Sequence, residues 1–155
     1  MNYLRKMDEI GHSLATSQAR IFERSVEDDL PSFFFIKSFM LSYEARQLDE
    51  LNLDYAGITE VEIYEVIKNR IKSKRGQLFS YPVMHFLGYF YRSAAYLHGV
   101  SSSTLYEKVP PKFLVDNYQT LHSLPIEEAI KEAFEVNKLE TKTKLERFFE
   151  IFPNL

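Results

Sequence analysis

His85, Tyr89, Arg92 and Tyr96 recur at steps of four, three and four, which sets them along one stripe of a helix. Gly88, beside that stripe, would let a second backbone or a ligand approach closely. Arg92 sits among aromatic residues, and a guanidinium in such surroundings needs a carboxylate or phosphate partner. Two chemistries fit. One is an anchor for a partner or a small anion. The other is a structural ion pair, with Asp116, Asp49 or Glu44 as the candidate acid. Tyr118 and His122 form a Tyr-x-x-x-His pair one helical turn apart. Tyr and Arg are frequent binding anchors, so Tyr89, Arg92, Tyr96, Tyr118 and His122 are the residues expected to meet a partner.

Other reactive side chains have simpler readings. His98 and His122 fall near expected helix C-termini, where an imidazolium is favoured by the helix dipole. His12 and His85 lack a metal-binding companion at i+3 or i+4, and neither HExxH nor a Cys/His cluster exists, so no metal is expected. Ser101 to Ser103 have no nucleophile elbow around them and read as helix caps. The five glycines are isolated, so no phosphate loop forms and no cofactor is implied.

Arg92 and His98 together make Arg-x5-His, which resembles the loose Arg-x4–6-His pattern of HEPN ribonucleases, with Ser93 as the polar residue after the arginine. That resemblance implies an arginine that binds phosphate and a histidine in an acid–base or electrostatic role. Residues six apart on a regular helix lie about 120° apart, so the two converge only across a bend. Lys68, Arg70, Lys72, Lys74 and Arg75 form a basic cluster that could contact phosphates, with Phe79 and Tyr81 near it to stack on bases. A solvated turn on an acidic protein explains the same cluster. A ribonuclease and a nucleic-acid-binding regulator are therefore the alternatives to a non-catalytic interaction module.

Helical periodicity must position these groups. Leu4, Met7, Ile10, Leu14, Ile21 and Phe22 predict an amphipathic helix over about 2–26. Pro31 opens a second helix to about 48, apolar all round in its first turn and so expected to be buried there. Residues 49–57 read as a loop, and Thr59 with Glu62 as a capping box for a helix to about 70. KSKRGQ (72–77) is a polar turn with room for a short hairpin between Ile71 and Phe79. The central helix spans about 81–98 and ends at Gly99. A short helix follows, with Thr104 and Glu107 as a second capping box. Pro110-Pro111 opens another over about 112–122, and a last one starts near Pro125. Beyond Glu135 the charges alternate around a Leu145, Phe148, Phe149 and Phe152 stripe, predicting a charged amphipathic helix over 136–155.

The bulk properties agree with an all-α, single-domain bundle of six or seven helices over 1–155. The chain has 155 residues, 45% hydrophobic and 26% charged, enough to bury about two thirds of its unfolded surface. Thirteen Phe and ten Tyr suit a bulky core or a contact surface. A net charge of −3 gives no long-range pull toward nucleic acid. The absence of cysteine excludes a disulfide scaffold and fits a reducing cytoplasm. The N-terminus has acids in place of an apolar signal core, and no apolar run is long enough and uncharged enough to span a bilayer.

The segment from Tyr89 to Ile130 also resembles a family of small bacterial proteins. The resemblance is carried by Gly88-Tyr89-Phe90-Tyr91-Arg92, Ser102 to Tyr106, Tyr118 with His122, and Glu128-Ala129-Ile130. Phe35-Ile36-Lys37, Phe39-Met40, Ser42 and Leu48-Asp49 extend it, so that it covers roughly residues 20–135. Such proteins tend to be encoded beside toxin–antitoxin genes, including small ADP-ribosyltransferase-like toxins. The resemblance implies an antitoxin-like or toxin-associated binding protein without catalysis of its own, with another protein as its partner.

Overall fold

The computed structural model describes residues 6–51, 59–73 and 75–139, which hold nine α-helices and no strand. The centre is a close pair, α1 (Glu9–Glu27) and α5 (Tyr81–His98). Their seam is built from small residues: Gly11, Ala15 and Ala19 are buried at steps of four on α1. On α5, a Cβ added at Gly88 would lie 2.7 Å from the Gln18 carbonyl oxygen and 2.8 Å from the Ala19 Cα. Gly88 therefore admits a backbone, that of α1. Gly11 meets Tyr96, Ala19 meets Gly88, and Glu23 meets His85, so the two helices run antiparallel.

This seam corrects the apolar stripe expected on the first helix. Ile21 and Phe22 are core residues, but Ile10 is 62% exposed and Leu14 only half-buried. The close approach at Gly88 selects small side chains and turns the large ones aside. Asp8 starts α1 by accepting a hydrogen bond from the Gly11 amide at 2.9 Å.

The second expected helix is two helices, α2 (Ser32–Met40) and α3 (Tyr43–Asp49). Ser42 divides them: its Oγ donates to the Phe39 carbonyl at 2.6 Å and accepts from the Ala45 amide at 3.0 Å. That side chain closes one helix and caps the next. Phe35 and Phe39 pack edge-on against Phe22 in the core, whereas Phe33 and Phe34 of the first turn are exposed, contrary to expectation.

Thr59 caps α4 (Glu60–Lys68) through the Glu62 amide, as its spacing predicts. Tyr64 ties α4 to α1, donating to the Arg24 carbonyl at 3.1 Å and to Asp28. Burial and the Asp28 carboxylate push this phenol far above its ordinary range, so it remains a donor.

Among the described residues near 71–79 there is no strand and no hairpin. The described residues there run along the start of α2, where the Ser32 amide donates to the Gln77 carbonyl and the Phe79 amide to Ser32 Oγ, both at 2.9 Å. Gly76 is required at this approach: its φ is 150°, and a Cβ would lie 2.7 Å from the Pro31 Cβ.

Ser80 caps α5, and Gly99 ends it in the left-handed region at φ 64°. Ser101 is the cap of α6 (Ser102–Lys108), which places Thr104 inside the helix and not at its start. The expected helix over 112–122 breaks at Asn117 into α7 (Pro111–Asp116) and α8 (Tyr118–Leu121). Asn117 Nδ2 donates back to the Phe113 carbonyl at 2.8 Å, occupying an acceptor at the break. After Pro125 comes α9 (Ile126–Val136), with Glu127 and Glu128 in its first turn. The charged helix expected over 136–155 lies almost wholly outside the described residues. No helix among the described residues is long and apolar enough to cross a membrane.

Candidate interaction surface

The stripe that sequence periodicity draws along α5 is divided by its surroundings. His85 and Tyr89 reach the surface, whereas Arg92 and Tyr96 are interior, at 1% and 8% exposure. Neither of the latter lies on the surface of the bundle. Arg92 Nη1 pairs with Asp49 Oδ1 at 2.7 Å, and Nε donates to Gln18 Oε1 at 2.7 Å. Nη2 reaches Ser102 Oγ at 3.2 Å and the Ala45 carbonyl at 3.5 Å. Asp49 is held in turn by the Ser102 amide at 2.8 Å and Ser102 Oγ at 2.6 Å. Burial pulls the Arg92 guanidinium below its usual range and Asp49 opposes that pull. Four elements, α1, α3, α5 and α6, are tied at one buried charge. Tyr96 also joins helices: its hydroxyl donates to the Asp8 carboxylate at 2.9 and 3.1 Å. The Gly11 amide and this phenol hold the Asp8 carboxyl below its ordinary range.

The outer face of the first half of α5 carries Tyr81, His85 and Tyr89 at i, i+4 and i+8, with Pro82 and Phe86 beside them; Tyr81, Pro82 and His85 are exposed and Phe86 and Tyr89 half-buried. On the α1 side, His12 Nδ1 lies 2.8 Å from the Tyr89 hydroxyl and His85 Nδ1 lies 2.7 Å from Glu23 Oε1. On the other side, Phe86 meets Tyr118 edge-on, and Tyr118 stacks on His122 with centroids 4.3 Å apart and planes 10° from parallel. Burial, together with the Glu127 charge, raises the Tyr89 pKa, so the phenol keeps its proton. Tyr89, Tyr118 and His122 thus belong to one aromatic and histidine strip that runs from α1 across α5 to α8. His12, Glu23, His85 and Phe86 complete it. The spacing of Tyr81, His85 and Tyr89 is legible in the sequence; the partners across helices are not.

The other groups with chemical potential are engaged elsewhere. His98 packs on Phe134 with centroids 4.9 Å apart, and burial holds its pKa below the ordinary value. With Arg92 enclosed, the Arg92–His98 pair does not converge on a common open site. In the basic cluster, Lys68 pairs with Asp28 at 3.4 Å, and Arg70 grips Glu44 at 2.5 and 3.1 Å. Lys72 donates to the Asn69 carbonyl, Arg75 is exposed, and Lys74 lies outside the described residues. A cleft of about 550 Å³ opens between α3 and the start of α6, lined in part by Leu41, Arg46, Asp49, Glu50 and Ser101. Its polar groups already serve the fold: Arg46 pairs with Glu50, Asp49 holds Arg92, and Ser101 caps α6. Among the described residues, no group of three or more His, Cys, Asp or Glu side chains is placed to hold a metal ion.

Comparison with protein-family models, with curated proteins and with solved structures found no match in any of the three.

Proposed function

We propose that this chain is a non-catalytic protein-interaction module that binds another protein through the α5 strip, with Tyr89, Tyr118 and His122 at its centre. The observation that carries the reading is the row of exposed Tyr81 and His85 and half-buried Tyr89, continued across Phe86 to the stacked Tyr118–His122 pair. Tyrosine and histidine offer large, stiff, amphipathic contact area at low cost in side-chain entropy. Arg92 and Tyr96, which the sequence groups with them, act one layer below by fixing α1, α3 and α6 around α5.

The resemblance to toxin-associated bacterial proteins makes a cognate toxin the first partner to test, in an antitoxin-like or accessory role. Co-expression with the product of the adjacent gene, followed by affinity capture, provides that test. Capture is expected from the native chain and lost from a Tyr89→Ala/Tyr118→Ala variant with an unchanged denaturation midpoint. Capture retained by that folded variant would refute the surface assignment. The ribonuclease reading requires Arg92 at a phosphate, and the nucleic-acid reading requires free cations at 68–75. The enclosure of Arg92 and the pairing of Lys68 and Arg70 favour neither.

A further inference from the structure

The end of the bundle where α2 and α5 begin leaves large apolar side chains uncovered. Phe34 is 51% exposed, Tyr81 47%, Leu78 43% and Phe33 38%, and Pro82 is exposed beside Tyr81. They come from two stretches of chain held side by side. The Ser32 amide donates to the Gln77 carbonyl and the Phe79 amide to Ser32 Oγ, and the Phe79 ring meets Phe33 edge-on with centroids 4.8 Å apart. Single exposed apolar residues are ordinary on a protein surface, whereas a group gathered at one place marks a contact site.

Cations flank this patch along α2. Lys37 lies one turn beyond Phe33 and Phe34. Arg75 stands at the other end, because it precedes Gly76, where a Cβ would lie 2.7 Å from the Pro31 Cβ. Lys72 is on the same connection. All three are exposed, and none pairs with a carboxylate among the described residues. Glu27 and Asp29 are the exposed acids where α1 ends. On a chain of net charge −3, Lys37, Lys72 and Arg75 outnumber them here.

The shape of the patch selects the occupant. Phe33 and Phe34 are neighbours on a helix and leave it about 100° apart, and Leu78 projects from a separate stretch. A rigid groove would have to match all of these directions. A fluid layer closes around each side chain with no complementary shape. Apolar and aromatic residues sit at the boundary of headgroups and acyl chains, while Lys and Arg extend to anionic headgroups. A nucleic acid would need a row of free cations along its backbone, and Lys68 and Arg70 are already paired.

We propose that this end of the bundle docks on a bilayer surface containing anionic lipid. Phe33, Phe34, Leu78 and Tyr81 enter the headgroup boundary, and Lys37, Lys72 and Arg75 meet the headgroup phosphates. Tyr89, Tyr118 and His122 take no part, so this contact stands apart from the protein-binding reading above.

The test sediments the full chain with vesicles of phosphatidylcholine alone and of an equimolar mixture of phosphatidylcholine and phosphatidylglycerol. The mixed vesicles should bind about tenfold more tightly, and Lys37→Glu/Arg75→Glu should remove that preference. Phe34→Ser/Leu78→Ser, at exposed positions and with an unchanged urea midpoint, should weaken binding to the mixed vesicles about tenfold. Tyr89→Ala/Tyr118→Ala should sediment as the native chain does, whatever its effect on protein capture. No sedimentation with the mixed vesicles would overturn the proposal. So would sedimentation that Lys37→Glu/Arg75→Glu abolishes but Phe34→Ser/Leu78→Ser leaves intact, since charge alone would then hold the chain. Tighter binding to a single-stranded oligonucleotide than to the vesicles would assign the cations to nucleic acid. A dimer dissociated by Phe34→Ser/Leu78→Ser would make the occupant a second copy of the chain. Either result would also overturn it.

Discussion

The two halves of α5 carry similar residues in different surroundings. From Phe90 to Leu97 every residue is buried, enclosed by α1, α3, α6 and α9. From Tyr81 to Tyr89 only Met84, Leu87 and Gly88 are fully covered. In the closed half, the one charged side chain has an ion-pair partner and three further acceptors, and Tyr91 donates to the Val109 carbonyl at 2.7 Å. In the open half, His85 and Tyr89 use one polar atom each on a neighbour and stack on one another at the edge of the bundle, His85 exposed and Tyr89 half-buried. A charge enclosed by four elements must be matched by the fold, because a buried unpaired charge costs several kcal/mol. A polar aromatic residue at the edge of the bundle is under no such demand and is free to meet a partner.

The sharpest way to break this comparison is to remove the partner of the enclosed charge. Asp49→Ala leaves Arg92 buried without a carboxylate and should cost about 3–5 kcal/mol of unfolding free energy, read from urea denaturation. An Asp49→Leu/Arg92→Met double variant should recover most of that loss, because it removes both charges together. If Asp49→Ala were nearly neutral, Arg92 would not be the fixed centre described above.

Next in size is the seam. Gly88→Ala gains helix propensity, but it drives a methyl group against the α1 backbone, and a net loss of about 1–3 kcal/mol is expected in the same assay. A stabilised Gly88→Ala protein would mean that the two helices do not touch there.

A smaller effect comes from His98, the last residue of the closed half. Burial holds its folded pKa below the ordinary 6.5, so between the two values the unfolded chain binds more protons than the folded one. The stabilisation from the neutral ring is complete above about pH 6.5, is lost as the pH falls through the lower folded value, and then levels off. The denaturation midpoint of the native chain should fall relative to that of His98→Phe as the pH is lowered from 7.5 to 5. Parallel curves would place His98 in contact with solvent.

Much of this arrangement is legible in the sequence, and the reasons for the remainder are physical. The span of α5 follows from Gly99 and from continuous apolar periodicity, and the start of α4 from Thr59 and Glu62. The breaks at Ser42 and Asn117 are missed because periodicity continues across them, while a side-chain hydrogen bond to the preceding turn interrupts the backbone. The α1 seam is missed because pattern reading weights large apolar residues, whereas contact at Gly88 favours Ala15 and Ala19. Arg92 is recognisable as a charge that needs a partner, but Asp49, Glu44 and Asp116 are equivalent candidates until the fold assigns Glu44 to Arg70, Asp116 to Lys112 and Asp49 to Arg92. The division of one stripe into inner and outer halves depends on which helices end beside it, and no local spacing encodes that.

In the open half, the smallest stability effect should accompany the largest functional one. Tyr118→Ala is expected to shift unfolding free energy by less than about 1 kcal/mol, since its ring is half-buried against Phe86 and His122. The most direct measurement combines both quantities on one sample: the urea midpoint and partner capture by the Tyr89→Ala/Tyr118→Ala chain. The account predicts a midpoint close to that of the native chain with capture abolished. A folded double variant that still captures its partner would contradict it.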